Sequence, residues 1–568
     1  MRAPTNPHPL PTLLFPLLLI LLSPTLTTAS PPPSVTILNG TLSGLYNPTY
    51  NQDLFLGIPY AQPPTGPLRL GFPQSLNASW DGARDATSYS PECVGYGGDD
   101  VGYNVSEDCL TLNVIRPAGV DENAKLPVAV WIHGGGFVMG GSADKRYNLS
   151  FPVAASTAIS QPILAVSLNY RLSGWGFLYS STLAAQNLTN LGLRDQRLAL
   201  AWIQENIAAF GGDPSRVTIW GESAGAMSVG AHMIAYGGRD DGLFRAGIAE
   251  SGGPNLFTLS NAALGQQNYD NITAAVGCTS NDSSAALACL RALPFDTLND
   301  AMNTTVAYTF MPVIDGDFLP TLASTQLADG AFVRVPLLIG ANSDEGTAFG
   351  ELGVNSDADF LALVQSKGAD NTTAQTLAAL YPNLPPIGIP ATYVVANETN
   401  TTLGTQYKRQ AAFAGDYLMI GTRRATCEAW AAHGVPAYAY RFDVVPAGIP
   451  PTTGATHFQE VAFVFDNVEG LGYVLDAIDP FLDEPPTYAQ LATLMSRMWV
   501  SFVVNGQPNA HGVAGVPEWP VYDLQDGRGA QDIVFDANVT GLAYVERDLF
   551  RAEGIAFINA VAASQFGR

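Results

Sequence analysis

The segment Val217–Met233, VTIWGESAGAMSVGAHM, constrains the fold of this 568-residue chain more than any other stretch. A β-branched run leads into Gly221-Glu222-Ser223-Ala224-Gly225, and helix-forming residues follow. A side chain presented on a sharp strand-to-helix turn must take strained backbone angles, so its flanking positions must be glycine or similarly small. Such an elbow lifts the Ser223 hydroxyl to the edge of a sheet and sets it at a helix N-terminus, where developing negative charge is stabilised. The same five letters occur by chance in ordinary turns. The strand before and the helix after are what mark Ser223 as a nucleophile.

Short apolar runs alternate with helical patterns on either side of the elbow. Leu126–His133, Ile163–Leu168, Val217–Trp220 and Val335–Gly340 read as buried strands, each ending in a glycine-rich or polar loop. Between the second and third, LGLRDQRLALAWIQENIAAF puts Leu198, Trp202, Ile203 and Ile207 on one helical face, and Gly211-Gly212 ends that helix. Ala437–Phe442 reads as a further strand and Ala489–Val504 as a further helix. This alternation predicts an α/β chain with a mostly parallel central sheet and helices on both faces. The Pro- and Asn-rich stretch between residues 350 and 410 reads as a helical or loop insertion, and residues 30–568 read as a single domain.

A serine nucleophile needs oxyanion donors, a base and an acid. Trp131-Ile132-His133-Gly134-Gly135-Gly136-Phe137 follows an earlier strand, and its consecutive glycines leave backbone N–H groups uncovered. The amides of Gly135, Gly136 and Ala224 are the predicted oxyanion hole, each donor worth ~3–4 kcal/mol in the transition state. A phosphate cradle is the rival reading, but no Gly-Lys-Ser/Thr follows. His133 precedes these glycines, His232 lies two turns past Ser223, and in a fold of this kind acid and base follow the serine in chain order. Of His433, His457 and His511, the second lies in a Gly/Thr loop entering the apolar run QEVAFVF and is the predicted base. Asp344 and Glu345, in VPLLIGANSDEGTAF, follow a strand end and are equally placed as the acid; Asp315 in VIDGDF is a weaker rival.

Composition narrows the setting. The formal charge is −24 from 26 Lys+Arg against 50 Asp+Glu, which excludes a nucleic-acid binder and makes an acidic membrane surface a poor partner. Arg2 precedes the apolar run Leu13–Leu22, and small and polar residues follow, a pattern that predicts a secretory signal peptide over residues 1–29, cut near Ala29. Twelve N-x-Ser/Thr sequons, at Asn39, Asn77, Asn104, Asn148, Asn187, Asn271, Asn281, Asn303, Asn371, Asn397, Asn400 and Asn538, agree with secretion as a glycoprotein. Cys93 pairs by proximity with Cys109 and Cys278 with Cys289, leaving Cys427 as a buried free thiol in the helical ATCEAWAA. No Cys/His spacing predicts a metal site, and a serine mechanism needs no cofactor.

Phe210–Gly225 and Glu107–Val114 (EDCLTLNV) resemble the two signatures of the type-B carboxylesterase/lipase family, as do NYRLSGWGF, DEGTAF and PEWPVY. Tyr236–Gly238, Leu243–Pro254 and MPVIDGDFLP resemble secreted fungal lipases of the Geotrichum and Candida type. The resemblance implies an α/β-hydrolase fold and a Ser–Glu–His triad of Ser223, Glu345 and His457. It implies the same two disulfides, a supporting hydroxyl at Ser251, and Glu222 as a buried, hydrogen-bonded structural neighbour. It also implies a small-molecule or lipid ester as substrate. A choline esterase of this kind needs an aromatic, usually Trp, in the Cys93–Cys109 loop, which here holds Tyr96 and Tyr103 but no Trp. Adhesion proteins of the superfamily lack the nucleophile, whereas Ser223, Glu345 and His457 are all present. In related lipases the first cysteine loop is a long amphipathic lid. Here it has 15 residues between the cysteines, including Gly95, Gly97, Gly98 and Gly102, so an open-site esterase is expected rather than an interfacially activated lipase.

Overall fold

A strand that is apolar on both faces is stable only with both faces covered, and the buried runs of this sequence pair accordingly. The computed structural model describes Met1 and residues 32–280, 282–306, 309–394, 402–473, 479–525 and 529–568. One sheet contains β1 (Leu45–Asn47), β2 (Gln52–Pro59), β3 (Thr111–Pro117), β4 (Leu126–Ile132), β5 (Leu164–Leu168) and β6 (Gly212–Glu222). It continues with β7 (Ala246–Glu250), β8 (Leu337–Asn342), β9 (Ala437–Phe442), β10 (Gln531–Phe535) and β11 (Ala543–Arg547). Across the sheet the order is β11-β10-β9-β8-β7-β6-β4-β5-β3-β2-β1. From β5 through β10 neighbouring strands run parallel. The strands at either edge are antiparallel.

Alternate residues of the parallel strands feed two separate cores. Val128, Val130, Ile132, Val166, Ile219 and Ile339 point to one face. Ala129, Trp131, Ala165, Trp220 and Leu338 point to the other. Helices α1 (Leu191–Asn206) and α2 (Ala224–Gly238) cover the first face through Leu200, Ile203, Val229 and Met233. Helix α3 (Pro486–Asn505) covers the second through Leu491, Leu494, Met498 and Phe502. The mostly parallel sheet with helices on both faces is therefore present.

The boundaries differ from those read off the sequence for local reasons. Pro336 has no N–H to give a ladder, so β8 begins at Leu337 rather than Val335. Helix α1 ends at Asn206 and tightens into a 3₁₀ turn over Ile207–Phe210, which Gly211 stops at φ 86°. The stretch between 350 and 410 contributes the helices Asp357–Ser366 and Asn371–Leu380 and the start of Tyr407–Gly415, which share a small core with Ile558 and Phe566 near the C-terminus.

Residues Pro33–Arg568 form one contact unit. The signal-peptide region and the sequons Asn281, Asn397 and Asn400 lie outside the described residues. No described helix is long and apolar enough to cross a membrane. Cys93–Cys109 and Cys278–Cys289 are disulfide-bonded. Cys427 is a buried free thiol that burial holds protonated. Asn77, Asn104, Asn187, Asn271, Asn303, Asn371 and Asn538 are exposed, while Asn148 is half-buried. Asn39, also half-buried, donates its side-chain amide to the Leu76 and Ala78 carbonyls at 2.7 and 2.9 Å, so its nitrogen is already engaged.

Candidate active site

The elbow forms where β6 meets α2. Ser223 sits at φ 55°, ψ −122°, a conformation that costs an L-residue about 1–3 kcal/mol and persists only when its surroundings impose it. They do so sterically: a Cβ on Gly225 would stand 2.0 Å from the Ile132 carbonyl oxygen, and one on Gly221 would stand 2.5 Å from the Gly225 carbonyl carbon. Only glycine lets the turn lie this close to the end of β4. The Ser223 N–H donates to the Glu250 carbonyl at 2.9 Å, tying the elbow to β7.

The acid and the imidazole come from the ends of the next strands. Glu345 follows β8 and is fully buried; His457 lies in the loop beyond β9. Nδ1 of His457 meets Oε2 of Glu345 at 2.7 Å. Oε1 of Glu345 accepts the Ser251 hydroxyl at 2.5 Å and the Asn342 N–H at 2.8 Å. In the neutral imidazole the shorter carboxylate contact, on Nδ1, assigns the proton to that nitrogen and leaves Nε2 as the acceptor. Asp344, one residue earlier, instead accepts the Ala455 N–H at 2.8 Å.

The other described histidines have other partners. His133 meets the Gly134 carbonyl through Nδ1 at 3.0 Å, and burial lowers its pKa to about 4. His232 meets Gln196, His433 packs edge-on to Phe332, and Nδ1 of His511 accepts the Val513 N–H. Asp315 is occupied by Thr189 and Asn190.

Glu222 differs from the hydrogen-bonded structural carboxylate expected. Its Oε1 lies 3.2 Å from Nε2 of His457, and neither atom has a hydrogen bond among the described residues. Nε2 thus faces the carboxylate next to the serine rather than the Ser223 hydroxyl itself. Catalytic hydrogen bonds are commonly loose in unliganded sites and tighten with substrate.

Glu222, Glu345 and Glu460 act on this imidazole and Glu250 on Glu222, and neither Glu250 nor Glu460 stands out in the sequence. Glu250 accepts the indole N–H groups of Trp220, at 2.6 Å, and Trp499. Glu460, three residues past His457, accepts the Asn342 amide at 2.6 Å. The available signal was an acidic residue entering the apolar run VAFVF. Burial raises the Glu460 carboxyl to about 7, and burial aided by Glu460, Glu345 and Glu250 raises Glu222 well above its ordinary value. Burial also opposes the charged imidazole, but Glu222 and Glu345 outweigh it and raise His457 to about 9.

A base must be neutral, so the acid limb of a pH–rate profile reports loss of the imidazolium proton. The imidazolium counters the burial of Glu222 and favours its ionised form, so Glu222→Gln removes the negative charge of this pair beside Nε2 and destabilises the imidazolium. The midpoint of the acid limb of kcat/KM is therefore expected to move to lower pH. A midpoint that stays in place or moves up would show that Glu222 is not ionised beside the imidazole.

The glycine loop after β4 completes the constellation. Gly135 and Gly136 stand at φ 89° and 63°, and their N–H groups donate to nothing among the described residues. Ala224 opens α2, where a helix leaves its first N–H groups without internal partners. The structure thus gathers elbow serine, free amides, imidazole and buried acid at the carboxyl ends of β4, β6, β8 and β9.

A sequence model of the carboxylesterase family matches residues 31–538. Secreted lipase 1 of Botryotinia fuckeliana is 33% identical over 578 residues, covering 95% of this chain and 93% of that protein. Lipase 4 of Diutina rugosa is 34% identical, covering 92% and 95%. The solved structure of Aspergillus niger EstA superposes with a TM-score of 0.79 at 27% identity, over 94% of this chain and 99% of that one.

Proposed function

This chain belongs to the carboxylesterase family, has the α/β-hydrolase fold and hydrolyses carboxylic esters, and from that premise we propose that it is a secreted esterase using Ser223, His457 and Glu345. The observation that carries the assignment is the 2.7 Å contact of His457 Nδ1 with the buried Glu345.

The chemistry follows from the parts. The Ser223 oxygen attacks the ester carbonyl carbon while Nε2 of His457 takes its proton; Glu345 holds the tautomer and stabilises the imidazolium. The carbonyl oxygen becomes an oxyanion held by the amides of Gly135, Gly136 and Ala224. The tetrahedral intermediate collapses, His457 returns the proton to the leaving alkoxide, and an alcohol departs. Water then attacks the acyl-enzyme by the same steps and releases the acid. For this cycle Nε2, which meets Glu222 at 3.2 Å in the unliganded site, comes within hydrogen-bond reach of the serine oxygen.

Secretion is supported by the signal pattern at residues 1–29 and by the relative's designation as a secreted lipase. A triacylglycerol lipase is the second reading, favoured by a relative described as a secreted triacylglycerol lipase in Gibberella zeae, 35% identical over 72% of this chain. The Cys93–Cys109 loop argues for the esterase. It contains one 3₁₀ turn, Gly98–Asp100, and no α-helix, and it carries Asp99, Asp100, Glu107 and Asp108. A net charge of −24 also repels anionic interfaces and fatty-acid products. Hydrolysis of tributyrin should accordingly rise smoothly with concentration through its solubility limit. A sharp jump at that limit, with a strong preference for long-chain triglycerides, would favour the lipase.

A further inference from the structure

The short disulfide-closed loop lies against the glycine loop, and its glycines have a second explanation beyond disfavouring a helix. A Cβ on Gly97 would stand 2.0 Å from the Met139 sulfur and 2.9 Å from its Cβ. A Cβ on Gly95 would stand 2.8 Å from both the Val138 carbonyl oxygen and Oδ2 of Asp100. These two glycines are sites of close approach. Across them run two bonds: the Tyr96 N–H donates to the Val138 carbonyl at 2.7 Å, and the Gly140 N–H donates to Oδ1 of Asp100 at 2.9 Å.

The turn so gripped is the one that carries the free amides. Val138 and Met139 donate their N–H groups to the Gly135 carbonyl at 3.0 and 3.1 Å, so moving Val138–Gly140 moves Gly135. From beneath, the Ser173 N–H holds the Phe137 carbonyl at 2.8 Å. The loop itself is anchored at Asp99, which pairs with Arg146 at 2.6 Å, and by the Cys93–Cys109 disulfide. Two side chains hold this turn: the Ser173 hydroxyl donates to the Val138 carbonyl at 3.2 Å, and Asp100 takes the Gly140 N–H at its far end.

We propose that Asp100 is a positioning residue for ester hydrolysis, its carboxylate clamping Gly140 and thereby holding the Gly135 and Gly136 amides where the oxyanion develops. The proposal rests on the oxyanion-hole reading above. In it the Cys93–Cys109 loop is a fixed strap on the catalytic turn, not a lid over it.

The test compares Asp100→Ala with Asp100→Asn, whose side-chain oxygen can still accept from Gly140. Turnover of p-nitrophenyl butyrate is measured with the inhibition constant of a butyl trifluoromethyl ketone, which forms a serine-bound oxyanion. Displacing catalytic groups by a fraction of an ångström to 1 Å costs up to about a hundredfold, so Asp100→Ala should lose roughly tenfold or more in kcat. Its KM should stay within about twofold, and its inhibition constant should weaken in step with kcat. Asp100→Asn should remain within about threefold of the wild type on both measures, and thermal melting should show both variants folded. Folded Asp100→Ala with unchanged kcat and inhibition would overturn the inference, as would equal impairment of the two variants. If the ketone does not inhibit the wild type more tightly than its methyl counterpart, the oxyanion-hole reading fails and the inference with it. Tight wild-type inhibition with an indifferent Asp100→Ala sinks the inference alone.

Discussion

Replacing Ser223 with alanine is expected to lower turnover of p-nitrophenyl butyrate by about 10⁶-fold, leaving only what binding and the oxyanion donors contribute without a nucleophile. The fold should be unaffected. Alanine meets the same backbone cost at φ 55° as serine does, and the steric fit of the elbow resides in Gly221 and Gly225 rather than in the hydroxyl. The Ser223 N–H, which bonds the Glu250 carbonyl, is a backbone group and stays. Purified Ser223→Ala should therefore melt where the wild type does. More than a few per cent of wild-type activity in that protein would mean that another residue attacks the ester.

The second large effect is expected at the base. His457→Ala should be about as damaging as the serine change, because residues that act as one unit lose nearly everything when either is removed. His433→Ala and His511→Ala should keep their turnover, since neither ring belongs to the contact network of Glu345. Glu345→Gln puts an amide where Nδ1 needs an acceptor for its proton, and a comparable carboxylate-to-amide change elsewhere costs about 10⁴ in kcat. Asp344→Asn should cost far less, because its carboxylate serves the Ala455 N–H and not the imidazole. Steady-state kinetics on the five variants decides the matter. An inactive His511→Ala beside an active His457→Ala would overturn the assignment.

How much of this was legible in the sequence depends on how local the cause is. The elbow is readable because its geometry forbids side chains at Gly221 and Gly225, so the fold writes itself into the letters. The parallel strands are readable because burial on both faces demands continuous apolar runs. Asp344 and Glu345 are adjacent, and spacing alone leaves them equal. Their difference arises when a loop 112 residues away brings His457 to one of them.

Other features are tertiary in the same sense. Glu222 sits within the motif, yet its approach to Nε2 of His457 is set by where the loop beyond β9 lands. Glu460 reads as an ordinary acidic residue until Asn342 and Ser251 are seen around it. Gly95 and Gly97 read as helix breakers in a surface loop, whereas the structure packs both against Val138 and Met139. A glycine chosen for conformation and one chosen for closeness look identical in a sequence.

The central claim is that Ser223 is the single activated nucleophile, and covalent capture tests it most directly. The wild-type protein is treated with diethyl p-nitrophenyl phosphate, activity is followed, and the product is mapped by peptide mass spectrometry. One phosphoryl label per chain is predicted, on the tryptic peptide Val217–Arg239 at Ser223, with activity lost in proportion to labelling. Loss of activity with the label on another residue, or full labelling of Ser223 with activity retained, would contradict it.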